Sequence, residues 1–242
     1  MSEFTANTTG FEHRIVLAQP DLGNTLTLDA MRALAADIRQ AGRDPAVKII
    51  RISAEGEAFC QGRAVSKPAA VAPSAAEFRA SVADPILDVY RAMHESQVPV
   101  LAQVQGHAEG FGCALVAACD LAVAADTSHF NLPELQKNLP PTLVLSVLRY
   151  KVPPKAAAHM VYLTDTIAAA TAREWGFVAE VVAPAALTAR CDAIVASIGS
   201  RDRISIAALK SYFREIIFPD FSLASETAGS MLANAMTSLR RP

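Results

Sequence analysis

The sequence is short of charge, of cysteine and of long apolar runs. Its 22 Lys and Arg against 24 Asp and Glu leave a balance of −2. A chain so close to neutral has no global field to draw in nucleic acid, and no nucleic-acid partner is expected. Only 19% of the 242 residues are charged, whereas 52% are hydrophobic. Much of the chain is therefore expected to be buried, inside one subunit or between subunits. The four cysteines, Cys60, Cys113, Cys119 and Cys191, contain no CxxC pair, and no histidines cluster near them. Neither a metal site nor a disulfide framework is expected, and the pattern suits a reducing cytoplasm. The longest apolar stretch, 113–125, is broken by Asp120 and is too short to span a bilayer, so no membrane partner is expected. The first ten residues have no basic start followed by an apolar run, and no signal peptide is expected.

What is present alternates. His13 to Ala18 and Val47 to Ser53 read as strands, as do Val98 to Val104 and Leu121 to Ala125. Between the first two, Thr27 caps a helix with Leu28, Met31, Leu34, Ala35 and Ile38 on one face. Residues 75–96 read as one or two helices broken near Pro85, and Phe111 to Ala118 as an apolar helix. Ser66 to Ser74, rich in Pro and Ala, reads as a loop. This order argues an α/β core over 1–183. Residues 184–242 read as almost entirely helical, with a break at Phe218-Pro219-Asp220.

Two glycine-bearing loops follow strands. In the first, Gly56 to Arg63, and in the second, Gly106 to Gly112, the backbone can turn sharply and let a ligand approach closely. The second loop opens a helix, whose first N–H groups lack internal partners and are ready donors to an oxygen gaining negative charge. Taken singly, each loop also fits a corner that needs glycine only for packing.

Taken together, Phe59-Cys60-x-Gly62-Arg63, Pro99-Val100-Leu101-Ala102-x-Val104-x-Gly106, Gly110-Phe111-Gly112-Cys113-Ala114-Leu115, Cys119-Asp120 and Phe130-x-x-Pro133-Glu134 resemble the crotonase (enoyl-CoA hydratase/isomerase) superfamily. The resemblance runs from about His13 to about Val182. It implies a spiral of ββα units followed by C-terminal helices that join subunits into a homotrimer or a dimer of trimers. It implies an acyl-CoA thioester as substrate, with coenzyme A as part of that substrate and no tightly bound cofactor. The amides of Arg63 and Phe111 match the family's two oxyanion donors. Gly62, Ala64, Val65, Lys67, Gly110 and Lys210 match substrate or coenzyme A positions.

Of the two family carboxylate positions, the one on the helix after the glycine turn is Ala114 here, and the one in the Pro-Glu motif is Glu134. A single carboxylate suffices to carry a proton between the α and γ carbons of an enoyl thioester. The resemblance therefore implies a double-bond (Δ3–Δ2) isomerase that uses Glu134. A hydratase with Glu109 as a second acid/base, a family decarboxylase or hydrolase, and a non-catalytic acyl-CoA-binding subunit stand as alternatives. His107, beside Glu109, is a further candidate for the site. After Pro-Glu the family's paired glycines are missing, so a bulkier or differently shaped pocket wall is expected there.

Overall fold

The computed structural model describes residues 2–64 and 73–238. Val65, Lys67 and most of the expected loop from Ser66 to Ser74 lie outside the described residues.

A six-stranded sheet forms the centre. Its order is β1 (Phe4–Thr9), β2 (Glu12–Leu17), β3 (Ile49–Ala54), β4 (Val100–Val104), β6 (Leu121–Ala125) and β9 (Glu180–Val182). β1 and β2 are antiparallel, and every later pair is parallel. Parallel neighbours need crossover connections, and α1 (Leu28–Arg43) supplies the first. Thr27 starts it as expected, its hydroxyl accepting from the Ala30 amide at 3.2 Å. Met31, Leu34, Ala35 and Ile38 are all buried.

The second crossover runs through α2 (Ala75–Phe78), a π-helical turn over Arg79–Ala83, and α3 (Asp84–Glu95). The expected break near Pro85 takes the form of a change of helix type, the π turn ending at Ala83 and α3 beginning at Asp84 with Pro85 in its first turn. Proline lacks an N–H and clashes with the carbonyl four residues back, and the wider π turn just before it accommodates the ring. The path stays helical into α3.

A second sheet was not expected. β5 (His107–Glu109), β7 (His129–Asn131) and β8 (Ile167–Ala168) form three strands beside the large sheet. β5 lies inside the second glycine loop and pairs in parallel with β7. α4 (Phe111–Ala118) follows it at once.

Alternation along the parallel strands divides the burial. Ile50, Ile52, Val100, Ala102 and Ala124 face the main core. Ile49, Leu101, Val123 and Ala125 face a smaller cluster under α8 (Leu187–Gly199). Arg51 enters that second face and is 1% exposed, paired with Glu12 at 2.5 Å and Asp192 at 2.7 Å.

The chain continues through α5 (Thr142–Leu148), α6 (Pro154–Leu163), α7 (Ala169–Glu174), α8, α9 (Arg203–Tyr212) and α10 (Phe221–Ser238). The break at Phe218 to Asp220 falls where expected, after a π-helical turn over Phe213–Ile217. α10 packs on α5 and on the α2–α3 helix. Arg79 pairs with Glu226, and the Thr142 hydroxyl donates to the Ala228 carbonyl. Among the described residues, no helix is long and apolar enough to cross a membrane.

Candidate functional site

The two glycine loops are stitched together. The amides of Phe59 and Cys60 donate to the His107 carbonyl at 3.0 and 3.1 Å, and the Glu109 amide donates to the Cys60 carbonyl at 2.9 Å. Gly112 sits directly on the first loop, and a Cβ there would lie 2.0 Å from the Cys60 carbonyl oxygen. Only glycine permits that approach.

The same bonding leaves two amides aside. Gly62 accepts from Leu26 while Ala64 donates to Leu26, so the intervening Arg63 amide takes no part in that bridge. Gly110, at φ +51°, turns β5 into α4, and Phe111 is the first helical residue. Its amide has no carbonyl four residues back to bond. Gly62, Arg63, Gly110 and Phe111 all border one cleft of about 330 Å³.

The third component arrives through β7. Its register sets Asn131 opposite Glu109, and the Asn131 carbonyl accepts from the Gly110 amide at 2.9 Å. The 3-10 helix Pro133–Lys137 follows, closed by Asn138 in the left-handed conformation. This places Glu134 over Gly110, where a Cβ would meet its Oε1 at 3.1 Å. Its Oε2 is buried and has no hydrogen-bond partner among the described residues. Burial pushes its pKa up, and its own amide and Lys137 oppose the rise. A largely desolvated carboxylate, with one oxygen unpartnered and two amides unbonded nearby among the described residues, is equipped to take a proton from carbon next to a polarised carbonyl.

Ala114 borders the cleft and is fully buried, so a small apolar side chain stands at the second carboxylate position. Glu109 also lines the cleft, with its side chain 38% exposed and 3.9 Å from His107 Nδ1. His107 itself is not among the lining residues; it is half exposed and stacks on His129. Ala64 is half-buried beside the first loop. Lys210 lies away from the cleft, buried, with its Nζ 2.6 and 2.7 Å from the two Asp120 oxygens. It borders a smaller cavity with His94, Lys151 and Arg214, where burial and the neighbouring cations hold His94 down to about 4.

The walls came from elsewhere in the chain. Phe78, Val82, Ile86 and Tyr90 line the cleft from the α2–α3 helix, and Leu232 and Met236 from α10. The four-residue spacing of the first set was the available signal, since it marks one helical stripe. The expected bulky wall after Glu134 is present as Leu139, Pro140, Pro141 and Leu143. Among the described residues, no group of three or more His, Cys, Asp or Glu is placed to hold a metal ion.

A fold of this kind, with paired strand–helix loops around an apolar cleft, defines the crotonase class. The enoyl-CoA hydratase/isomerase family model matches residues 13–237, and the chain belongs to that family. It is 30% identical to the rat protein "enoyl-CoA hydratase domain-containing protein 3, mitochondrial" over 223 residues, spanning 92% of this chain and 74% of that one. The crystal structure of the human domain-containing protein 3 aligns with a TM-score of 0.82 at 27% identity, covering 99% of each chain. An enoyl-CoA hydratase structure from Mycobacterium avium subsp. paratuberculosis aligns at 0.88 and 22% identity, covering 100% of this chain and 95% of that one, which speaks to the fold.

Proposed function

We propose that the protein binds an acyl-CoA thioester, stabilises its enolate and shifts a double bond. The amides of Arg63 and Phe111 hold the thioester oxygen. Glu134 removes a proton from C2 of a 3-enoyl thioester and returns it at C4. The electrons of the broken C–H bond form the C2–C3 double bond through the enolate, and the original C3–C4 double bond takes up the returned proton. Coenzyme A leaves still joined to the product, so no other cofactor is needed. The observation that carries this reading is the Glu134 carboxylate over Gly110, its Oε2 buried and unpartnered among the described residues, with Ala114 in place of a second carboxylate.

The test is to supply trans-3-hexenoyl-CoA and crotonyl-CoA separately. The first is expected to become 2-hexenoyl-CoA, and the second to gain no water. Rapid formation of 3-hydroxybutyryl-CoA would instead favour a hydratase, for which Glu109 in the same cleft is the supporting observation. Thioester binding without turnover of either would leave an acyl-CoA-binding subunit, the reading that Ala114 favours.

Assembly through the C-terminal helices belongs to the same proposal. Ile204, Leu209, Tyr212, Phe213, Ile216 and Leu223 are 48–79% exposed. An apolar surface of that extent suits burial between subunits, as a homotrimer or a dimer of trimers. The four free cysteines, all buried, are in keeping with a reducing cytoplasm.

A further inference from the structure

Tyr90 is the polar oddity of the cleft. It stands on α3, is 2% exposed, and is among the largest fully enclosed side chains. Its ring stacks on Phe111 with centroids 6.0 Å apart, at the start of the helix that carries a proposed oxyanion amide. Its neighbours along the stripe, Ile86 and Val82, are apolar. Its hydroxyl makes no hydrogen bond among the described residues. A buried tyrosine hydroxyl normally finds a partner, and an oxygen of a ligand in a bordering cavity would supply one.

Tyr90 borders two cavities, the cleft and the smaller cavity that holds Asp120, Lys151 and Lys210. Its ring stacks on Phe111, and Phe111 together with the rest of the stripe, Phe78, Val82 and Ile86, borders the cleft and not the smaller cavity, so the tyrosine is taken with the cleft. Burial holds its pKa well above the ordinary tyrosine value, so it stays a neutral donor rather than a base.

An unsatisfied donor in an apolar pocket discriminates between ligands. A plain hydrocarbon strips it of water and offers nothing back, whereas an oxygen on the chain restores the bond. We propose that Tyr90 is a specificity-determining residue whose hydroxyl donates to a hydroxyl or oxo oxygen carried on the acyl chain of the thioester. This rests on the acyl-CoA reading above and deepens it: the preferred substrate is an oxygenated acyl-CoA rather than a plain fatty one.

The experiment is calorimetric binding of hexanoyl-CoA and of its 3-, 4- and 5-hydroxy derivatives to the wild-type protein and to Tyr90→Phe. Hexanoyl-CoA and the 4- and 5-hydroxy derivatives carry no hydroxyl at C3 that an enolate could expel, so the comparison rests on these three and is independent of which reaction the protein performs. In the wild type, at least one hydroxylated derivative is expected to bind about tenfold tighter than hexanoyl-CoA, the worth of one such bond. Tyr90→Phe is expected to erase that advantage and to bind hexanoyl-CoA at least as well as the wild type. A merely structural role for the phenol would weaken all four ligands together. If the hydroxylated ligands gain nothing in the wild type, or keep their gain in Tyr90→Phe, Tyr90 does not read the chain, while the acyl-CoA reading survives. If none of the four binds the wild type, both readings fall.

Discussion

Removing water from a carboxylate raises its pKa, and at Glu134 that cost is met by no hydrogen bond to Oε2 among the described residues. Stability and basicity are therefore linked. Below the unfolded-state pKa of about 4 the carboxyl is neutral in both states, and its burial costs least. As pH rises through the higher folded value, ionisation in the buried site erodes stability. Glu134→Gln is expected to have a higher melting temperature than the wild type at neutral pH, with the gain shrinking in mild acid. Thermal denaturation across that range checks it. An equal gain at every pH would mean that the carboxylate is not strained by burial. With Glu134 as the proposed base, the same shift is expected to give activity an acid limb above the ordinary carboxylate range, because the ionised form takes the proton. That Glu134, Arg63 and Phe111 border one cleft was legible from sequence because each sits in a short local motif. That Tyr90 borders it was not, because its position depends on what α3 packs against.

At the scale of elements, the site depends on two loops touching. Gly112 makes that contact, and its missing Cβ leaves room for the Cys60 carbonyl. Gly112→Ala is expected to lose about 1–3 kcal/mol of stability, the usual cost of overpacking, and to lose thioester binding in step. Urea denaturation together with binding would check both. A variant that binds normally would show that the two loops need not touch. The tie between α9 and the core is a second case. Lys210 holds Asp120, which also accepts from the Val100 amide at 2.8 Å. Lys210→Met removes the cation that bonds that carboxylate directly and leaves Lys151 nearby, and the expected loss is about 3 kcal/mol, again measured in urea. The long parallel strands and α1 were readable because five or more residues show a period. β5, β7 and β9 have three residues each and β8 two, too few for any alternation to register. β1 is polar and mostly exposed, so it offered no apolar signal. The boundary beside Pro85 was marked by the proline itself, whereas the π turn that precedes it has no sequence mark.

For the whole molecule, the outer surface of the C-terminal helices and the cleft make separate demands. One face of α10 closes the cleft with Leu232 and Met236, while Leu223 and Met231 stay exposed. Sedimentation is expected to show a species of three 25.6 kDa chains or a multiple of it. Leu209→Glu combined with Ile216→Glu is expected to shift it to monomer, because a charge buried at an apolar interface is costly without a partner. A wild-type monomer at micromolar concentration would leave that face without its proposed cover.

The most direct test follows the α-proton. A saturated acyl-CoA held in deuterated water with the protein, observed by NMR, is expected to exchange its C2 hydrogens. Glu134→Gln is expected to slow this by about 10²–10⁴-fold with the thioester still bound. A bound thioester that never exchanges, or a variant that exchanges as fast as the wild type, would contradict the enolate chemistry assigned to this cleft.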